Sequence, residues 1–213
     1  MNNFSPIPAK LLLFGEHSVL IGSPAVLVPL NDFTASLKFP SKEPNHDSIV
    51  SNAYLKRFSS YIHSNSEWFS EHIYLEEFDE ALKDGLYLDS DIPEGYGLGS
   101  SASVCVAVYK AFGISDFEDP AELKLFYSRL ESFFHGKSSG IDPLTIHARK
   151  PVVIEKDKIR YLDTDQKLFA PEINVYLLDS GISRNAGEII RLFKASLITR
   201  SSGMILLHPI CLF

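Results

Sequence analysis

Three stretches of the chain hold residues whose types and spacing could do chemistry. In PEGYGLGSSAS, residues 93–103, Gly95, Gly97 and Gly99 alternate with Tyr96 and Leu98 and lead into Ser100 and Ser101. Glycines of this kind accept positive φ and let a backbone approach a ligand closely. Successive N–H groups in such a loop form a concave anion site, and the start of a following helix adds partial positive charge. A serine hydroxyl there caps the helix or ligates a magnesium ion held between phosphates. The same pattern equally describes a plain strand-to-helix turn with a serine cap. It is not a Walker loop, because GxxxxGK[ST] is absent, and the Rossmann spacing is absent too.

The second stretch is PAKLLLFGEHSVLIG, residues 8–22. Lys10 precedes a short apolar run, which would fix it at a strand, and Glu16 and His17 sit on the exit from that run. The third is ESFFHGKSSGID, residues 131–142. Glu131 falls late in a helical pattern, and Asp142 follows a turn rich in Gly and Ser. Two carboxylates so placed can converge, one holding a cation and the other accepting a proton. Taken singly, each of these charged residues reads equally well as a solvated surface group.

The elements that must position these residues are readable in outline. Residues 9–15 and 25–30 are short apolar runs that read as strands, and residues 32–39 alternate partly at period 2. A turn-rich loop, SKEPNHD, follows, and residues 48–82 read as mainly helical. Residues 85–92 alternate well enough for a strand, with Leu86, Leu88 and Ser90 on one face. Residues 100–112 have the apolar content of a buried helix. Asp119, Pro120 and Glu122 mark a helix start, with Asp119 as cap, Pro120 in the first position and Glu122 completing a capping box. Leu123, Phe126, Tyr127, Leu130 and Phe134 then recur at helical spacing, and Gly136 can end the helix. Residues 151–155 and 173–178 read as further strands.

Composition bounds the function classes. The 213 residues are 45% hydrophobic and 22% charged, ordinary values for a globular protein. A net charge of −7 argues against a nucleic-acid partner, although one loop can still hold a nucleotide. No apolar run approaches the roughly 20 residues that span a membrane, and the N-terminus lacks the basic start and apolar core of a secretory signal. Cys105 and Cys211 give neither a disulfide framework nor metal-site spacing, which points to a reduced, cytoplasmic compartment.

The three stretches together resemble the GHMP small-molecule kinases, in the mevalonate kinase branch. PAKLLLFGEHSVLIGSPAVLVPL is similar to the family's first motif, with its lysine and Gly-Glu-His triplet. PEGYGLGSSAS is similar to the second, the ATP phosphate loop, and ESFFHGKSSGID to the segment with a metal-binding Glu and a catalytic Asp. DSGISR, residues 179–184, is similar to a strand and turn that carry a basic residue. Ser18, Val19 and Leu20 after the triplet differ from the galactokinase pattern, and His17 stands where phosphomevalonate kinases tend to carry Tyr.

The resemblance implies an ATP-dependent kinase that transfers the γ-phosphoryl group to an alcohol, with mevalonate the first choice. A phosphomevalonate or sugar kinase is the alternative within the family. It implies that Asp142 takes the proton from the acceptor hydroxyl, while Lys10 lowers that hydroxyl's pKa and steadies the phosphoryl group. Ser101 and Glu131 would hold Mg2+. Gly95, Tyr96, Gly97, Leu98, Gly99, Ser100 and Ser101 would wrap the triphosphate, and Glu16 and His17 would face the acceptor. The implied fold is α/β (α+β), the GHMP kinase N-terminal domain of the ribosomal protein S5 domain 2-like type. In it a mixed sheet packs against helices, with the ATP loop at the start of a buried helix.

The chain departs from the family in one respect. The third family motif, a second Gly-rich loop of the form TGAGGGG, is absent from it. The expected division is an ATP-binding domain over residues 1–170 and only the start of a ferredoxin-like C-terminal domain over residues 171–213. The tail LFKASLITRSSGMILLHPICLF reads as the aberrant end of a truncated chain. A catalytically inactive binding protein of the same fold is therefore the reading from another class, and self-association through uncovered apolar surface is expected.

Overall fold

The computed structural model describes residues 4–16, 18–41, 43–156 and 158–163, and beyond these only positions 176, 178, 181, 191–193 and 195. Strand β1 (Ile7–Phe14) runs antiparallel to β2 (Ala25–Lys38), the two joined through a short 3-10 helix (Ser18–Ile21). Helices α1 (His46–Ser64), α2 (Ser66–Phe69) and α3 (Leu75–Lys83) follow, then strand β3 (Tyr87–Ser90). Helices α4 (Ser100–Phe112), α5 (Pro120–His135) and α6 (Ile141–Ala148) precede the hairpin β4 (Val152–Glu155) and β5 (Lys158–Tyr161).

The two apolar runs at 25–30 and 32–39 form one strand, not two. The long β2 has β1 along one edge, while its other edge pairs with β4 at Ala25–Leu27 and with β3 at Ala35–Lys38. Pro29 and the polar pair Asn31-Asp32 suggest a break in the sequence, yet the strand passes through them. Pro29 lies opposite Lys10, whose N–H turns away from β2 to the Leu98 carbonyl at 3.0 Å. That makes the pair a non-hydrogen-bonded one, so the missing proline N–H costs no bond to β1. The residues around Asn31 are taken up by a register shift between Pro8 and Ala9.

Every pairing among the described strands is antiparallel, in place of the mixed sheet that the resemblance implies. Glu155 pairs with Lys158 across a two-residue turn, with Lys156 in the left-handed region at φ 55°. Helix α4 is the central element of the core and touches β1, β2, α3, α5 and α6. Its residues from Ala102 to Tyr109 are all buried, as an apolar helix with no polar face requires.

The strongly signalled helix is confirmed at both ends. Asp119 caps α5 by accepting the Ala121 N–H at 2.8 Å, Pro120 opens the helix, and Gly136 closes it at φ 69°. Leu123, Phe126, Tyr127 and Leu130 form its buried stripe. The expected strand at 173–178, the domain boundary near 170 and the tail from 192 fall largely or wholly outside the described residues.

Candidate active site

The Gly-rich loop is pinned to the free edge of the sheet. The Lys10 N–H donates to the Leu98 carbonyl at 3.0 Å, and Leu98 and Tyr96 pack with Ala9, Ala35 and Ile92 in a small cluster. Gly95, Gly97 and Gly99 all have positive φ. At Gly99 the requirement is double. Its φ is 83°, and a Cβ would stand 3.0 Å from Lys10 Cγ and 3.2 Å from Ile146 Cδ1. The lysine stem therefore crosses directly over the glycine.

Helix α4 opens at Gly99 with no side-chain cap, so the serine cap that the sequence allows is not formed. Ser100 offers its carbonyl to Ser103 Oγ at 2.7 Å, and Ser101 Oγ turns instead to Glu131 Oε1 at 3.1 Å. The first N–H groups of the helix are left without intrahelical partners, as at any helix start.

Glu131 is held inside the protein, 4% exposed, on the last turns of α5. Ser101 reaches one of its oxygens and the Ser138 hydroxyl donates to the other. Burial first, then the nearby Asp142 carboxylate, pushes Glu131 up to about 7. The two serine hydrogen bonds and the Lys10 charge pull the other way. Asp142 sits in the first turn of α6, and its Oδ2 lies 2.7 Å from Lys10 Nζ. The approach of α6 to α5 depends on Gly140, at φ 72°, where a Cβ would come within 2.1 Å of the Lys124 carbonyl oxygen.

Lys10, Ser101, Glu131 and Asp142 thus form one connected cluster, built from β1, α4, α5 and α6. Glu16 is placed differently, on an exposed turn beyond the end of β1, and His17 lies outside the described residues. Two residues of the site went unnoticed in the sequence. His135 Nε2 lies 3.0 Å from Ser101 Oγ, and Ser138 supports Glu131. The i, i+4 spacing of Glu131 and His135 on one helix face was the available signal for the histidine. Beside the loop lies a cavity of about 780 Å³, lined by His46, Tyr54, Ile92, Gly95, Ser101 and His135 among others.

The donor set suits a magnesium ion. Ser101 and Glu131 supply a hydroxyl and a carboxylate, the hard oxygen donors that this ion takes. A buried carboxyl pushed upward gains from a cation beside it. Among the described residues no group of three or more His, Cys, Asp or Glu side chains could hold a metal by itself. Two protein oxygens with phosphate and water completing the shell is the arrangement usual for Mg2+, so the residues fit. Among the described residues no helix is long and apolar enough to cross a membrane, and Cys105 is a free, buried thiol.

Residues 61–148, which include the Gly-rich loop, Glu131 and Asp142, match the family model for the GHMP kinases N terminal domain. The chain is 30% identical to a mevalonate kinase of Pyrococcus furiosus, over 76% of this chain and 54% of that protein. It is 27% identical to a mevalonate kinase of Thermococcus gammatolerans, over 100% of this chain and 66% of that protein. A crystal structure of mevalonate kinase from methicillin-resistant Staphylococcus aureus is similar at 25% identity and a TM-score of 0.44, over 76% of this chain and 55% of that one. The chain spans about half the length of most of the curated relatives it matches. The fold is thus α/β (α+β), and its residues 61–148 match the GHMP kinases N terminal domain.

Proposed function

We propose that the chain is an ATP-dependent small-molecule kinase acting on an alcohol, with mevalonate as its acceptor. The observation that carries this reading is the Lys10–Asp142 contact at 2.7 Å, set against a Gly-rich loop and a buried Glu131. The curated relatives are named mevalonate kinases, which favours that acceptor over a sugar or phosphomevalonate.

Phosphoryl transfer needs positioning and charge stabilisation more than covalent chemistry. Backbone N–H groups from Gly95 to Ser101, with the uncapped start of α4, bind the phosphates of the nucleotide, and the 780 Å³ cavity receives its base and sugar. Ser101 and Glu131 hold Mg2+, which when bound supplies positive charge against the phosphate oxygens. Asp142 accepts the proton of the acceptor hydroxyl. Lys10, enclosed and fixed by β1, orients that carboxylate and places its own charge where negative charge develops. Glu16 and His17 contribute to the acceptor side. Residues 1–170 make up this nucleotide-binding domain and residues 171–213 begin a second. The free Cys105 thiol suits a reducing compartment, the cytoplasm.

Purified protein given ATP, Mg2+ and mevalonate is expected to release ADP. A panel with phosphomevalonate and sugars separates the acceptors. No turnover with any of them, from protein folded by circular dichroism, overturns the kinase reading. Size-exclusion chromatography settles self-association in the same preparation.

A further inference from the structure

Ser138 makes more contacts to the site than its half-buried turn position would suggest. Its hydroxyl donates to Glu131 Oε2 and accepts the Gly140 N–H at 3.0 Å. Its carbonyl accepts from Ser128 Oγ of α5 at 2.6 Å. The residue is thus tied to α5 at two points, Ser128 and Glu131. It is tied once more to the residue that starts α6, two positions before Asp142. Gly140 itself packs closely on α5, where an added Cβ would come within 2.1 Å of the Lys124 carbonyl oxygen.

We infer that Ser138 is a positioning residue that sets the Glu131 carboxylate and the helix bearing Asp142 in one fixed relation. Glu131 has two oxygens and two serine donors. Ser101 takes the oxygen on the α4 side, and Ser138 takes the other. Without the Ser138 hydroxyl, Oε2 loses the donor seen here, and only the Ser101 bond to Oε1 still restrains rotation of the carboxylate. The Gly140 N–H loses its acceptor in the same step. A single hydroxyl therefore couples the cation-holding group to the proton-accepting one. The inference rests on the kinase reading in so far as Glu131 is taken to hold the cation. Groups that orient a metal ligand from behind affect affinity about 10-fold or more.

The test compares Ser138→Ala, Ser138→Thr and Ser132→Ala with wild type in the full chain. Ser132 is a matched control, since its hydroxyl donates only to the Ser128 carbonyl of its own helix at 2.7 Å. The probe is Mn2+ with ADP, followed by electron paramagnetic resonance of free Mn2+, beside KM for Mg-ATP, kcat and amide exchange at Gly140. Ser138→Ala is expected to weaken Mn2+ about 10-fold, to raise KM for Mg-ATP and lower kcat together, and to speed Gly140 exchange. Ser138→Thr restores all of these and Ser132→Ala changes none. Mn2+ affinity within twofold of wild type in Ser138→Ala overturns the inference and leaves the kinase reading standing. If wild-type protein takes up no Mn2+, the cation reading of Glu131 is what fails. Gly140 exchange then decides alone: equal acceleration in Ser138→Ala and Glu131→Ala keeps the coupling, and unchanged exchange in either overturns it.

Discussion

Lys10 Nζ stands 2.7 Å from Asp142 Oδ2, with 6% of the lysine side chain and 36% of the aspartate side chain exposed. The asymmetry suits the roles proposed for them. The carboxylate is open to an incoming hydroxyl, while the ammonium group is enclosed and held from behind by β1 and Gly99.

Asp142→Asn keeps the shape of the side chain and removes its ability to take a proton. Turnover of ATP with mevalonate is expected to fall by about 100-fold or more, the usual contribution of a positioned base. The binding of ADP, measured by calorimetry, is expected to change little. Retained turnover in this variant would remove Asp142 from the proposed role.

The same substitution leaves a buried lysine without its counter-charge. Asp142→Asn is expected to cost about 2 kcal/mol in urea unfolding, below the usual range for a fully buried pair because the aspartate is partly solvated. Lys10→Met combined with Asp142→Asn is expected to recover most of that loss. A double variant less stable than Asp142→Asn alone would show that the stem of Lys10, and not its charge, holds the site.

Two glycines are expected to respond unequally to alanine. At Gly99 the added methyl meets flexible side-chain atoms at 3.0 Å and beyond, so the main penalty is the left-handed backbone, about 1–2 kcal/mol. At Gly140 it meets backbone atoms of α5 at 2.1 and 2.7 Å, and α6 must move as a whole. Gly140→Ala is expected to be the more destabilising by chemical denaturation, and the reverse order would contradict the packing of α5 on α6.

The pH dependence of stability contains two opposed contributions. Glu131 is raised to about 7 by burial and then by Asp142, so between about pH 4.5 and 7 the folded state holds a proton that the unfolded state has lost. Stability from this group falls as pH rises through that window, by on the order of 3 kcal/mol in all. His147 is lowered to about 4 by burial and then by Lys110, so between about pH 4 and 6.5 the unfolded state holds the extra proton. Stability from the histidine falls as pH drops through that window. The two offset each other where the windows overlap. Relative to wild type, Glu131→Gln is expected to gain stability as pH rises from 5 to 7.5, and His147→Gln to gain it as pH falls from 6.5 to 4.5. Urea unfolding at a series of pH values reads both, and parallel curves for wild type and Glu131→Gln would count against the burial of an ionisable Glu131.

Local chemistry was legible without the fold. The Asp119-Pro120 start and Gly136 end of α5, the buried run of α4 and the alternating glycines of the loop depend on neighbours a few residues apart, and the structure repeats them with the same bounds. Residues with no local signature were not. Ser138 and His135 join the site through Glu131 and Ser101, contacts that the fold creates. Pro29 and Asn31-Asp32 looked like a break in β2, because only the free outer edge of β1, where Lys10 reaches Leu98, shows that no ladder bond is lost there.

By itself the sequence determined the parts: a strand carrying Lys10, a glycine loop opening a buried helix, and a capped helix carrying Glu131 with Asp142 beyond its end. Their spacing along the chain sets local backbone preference and burial, which act over a few residues. Only the tertiary structure decided that Lys10 lies against Asp142, that Ser101 turns to Glu131 in place of capping its helix, and that Ser138 closes the link between α5 and α6. Those relations join residues brought together by the packing of α4, α5 and α6 on the sheet. Burial at their meeting point is also what raises Glu131 and encloses Lys10.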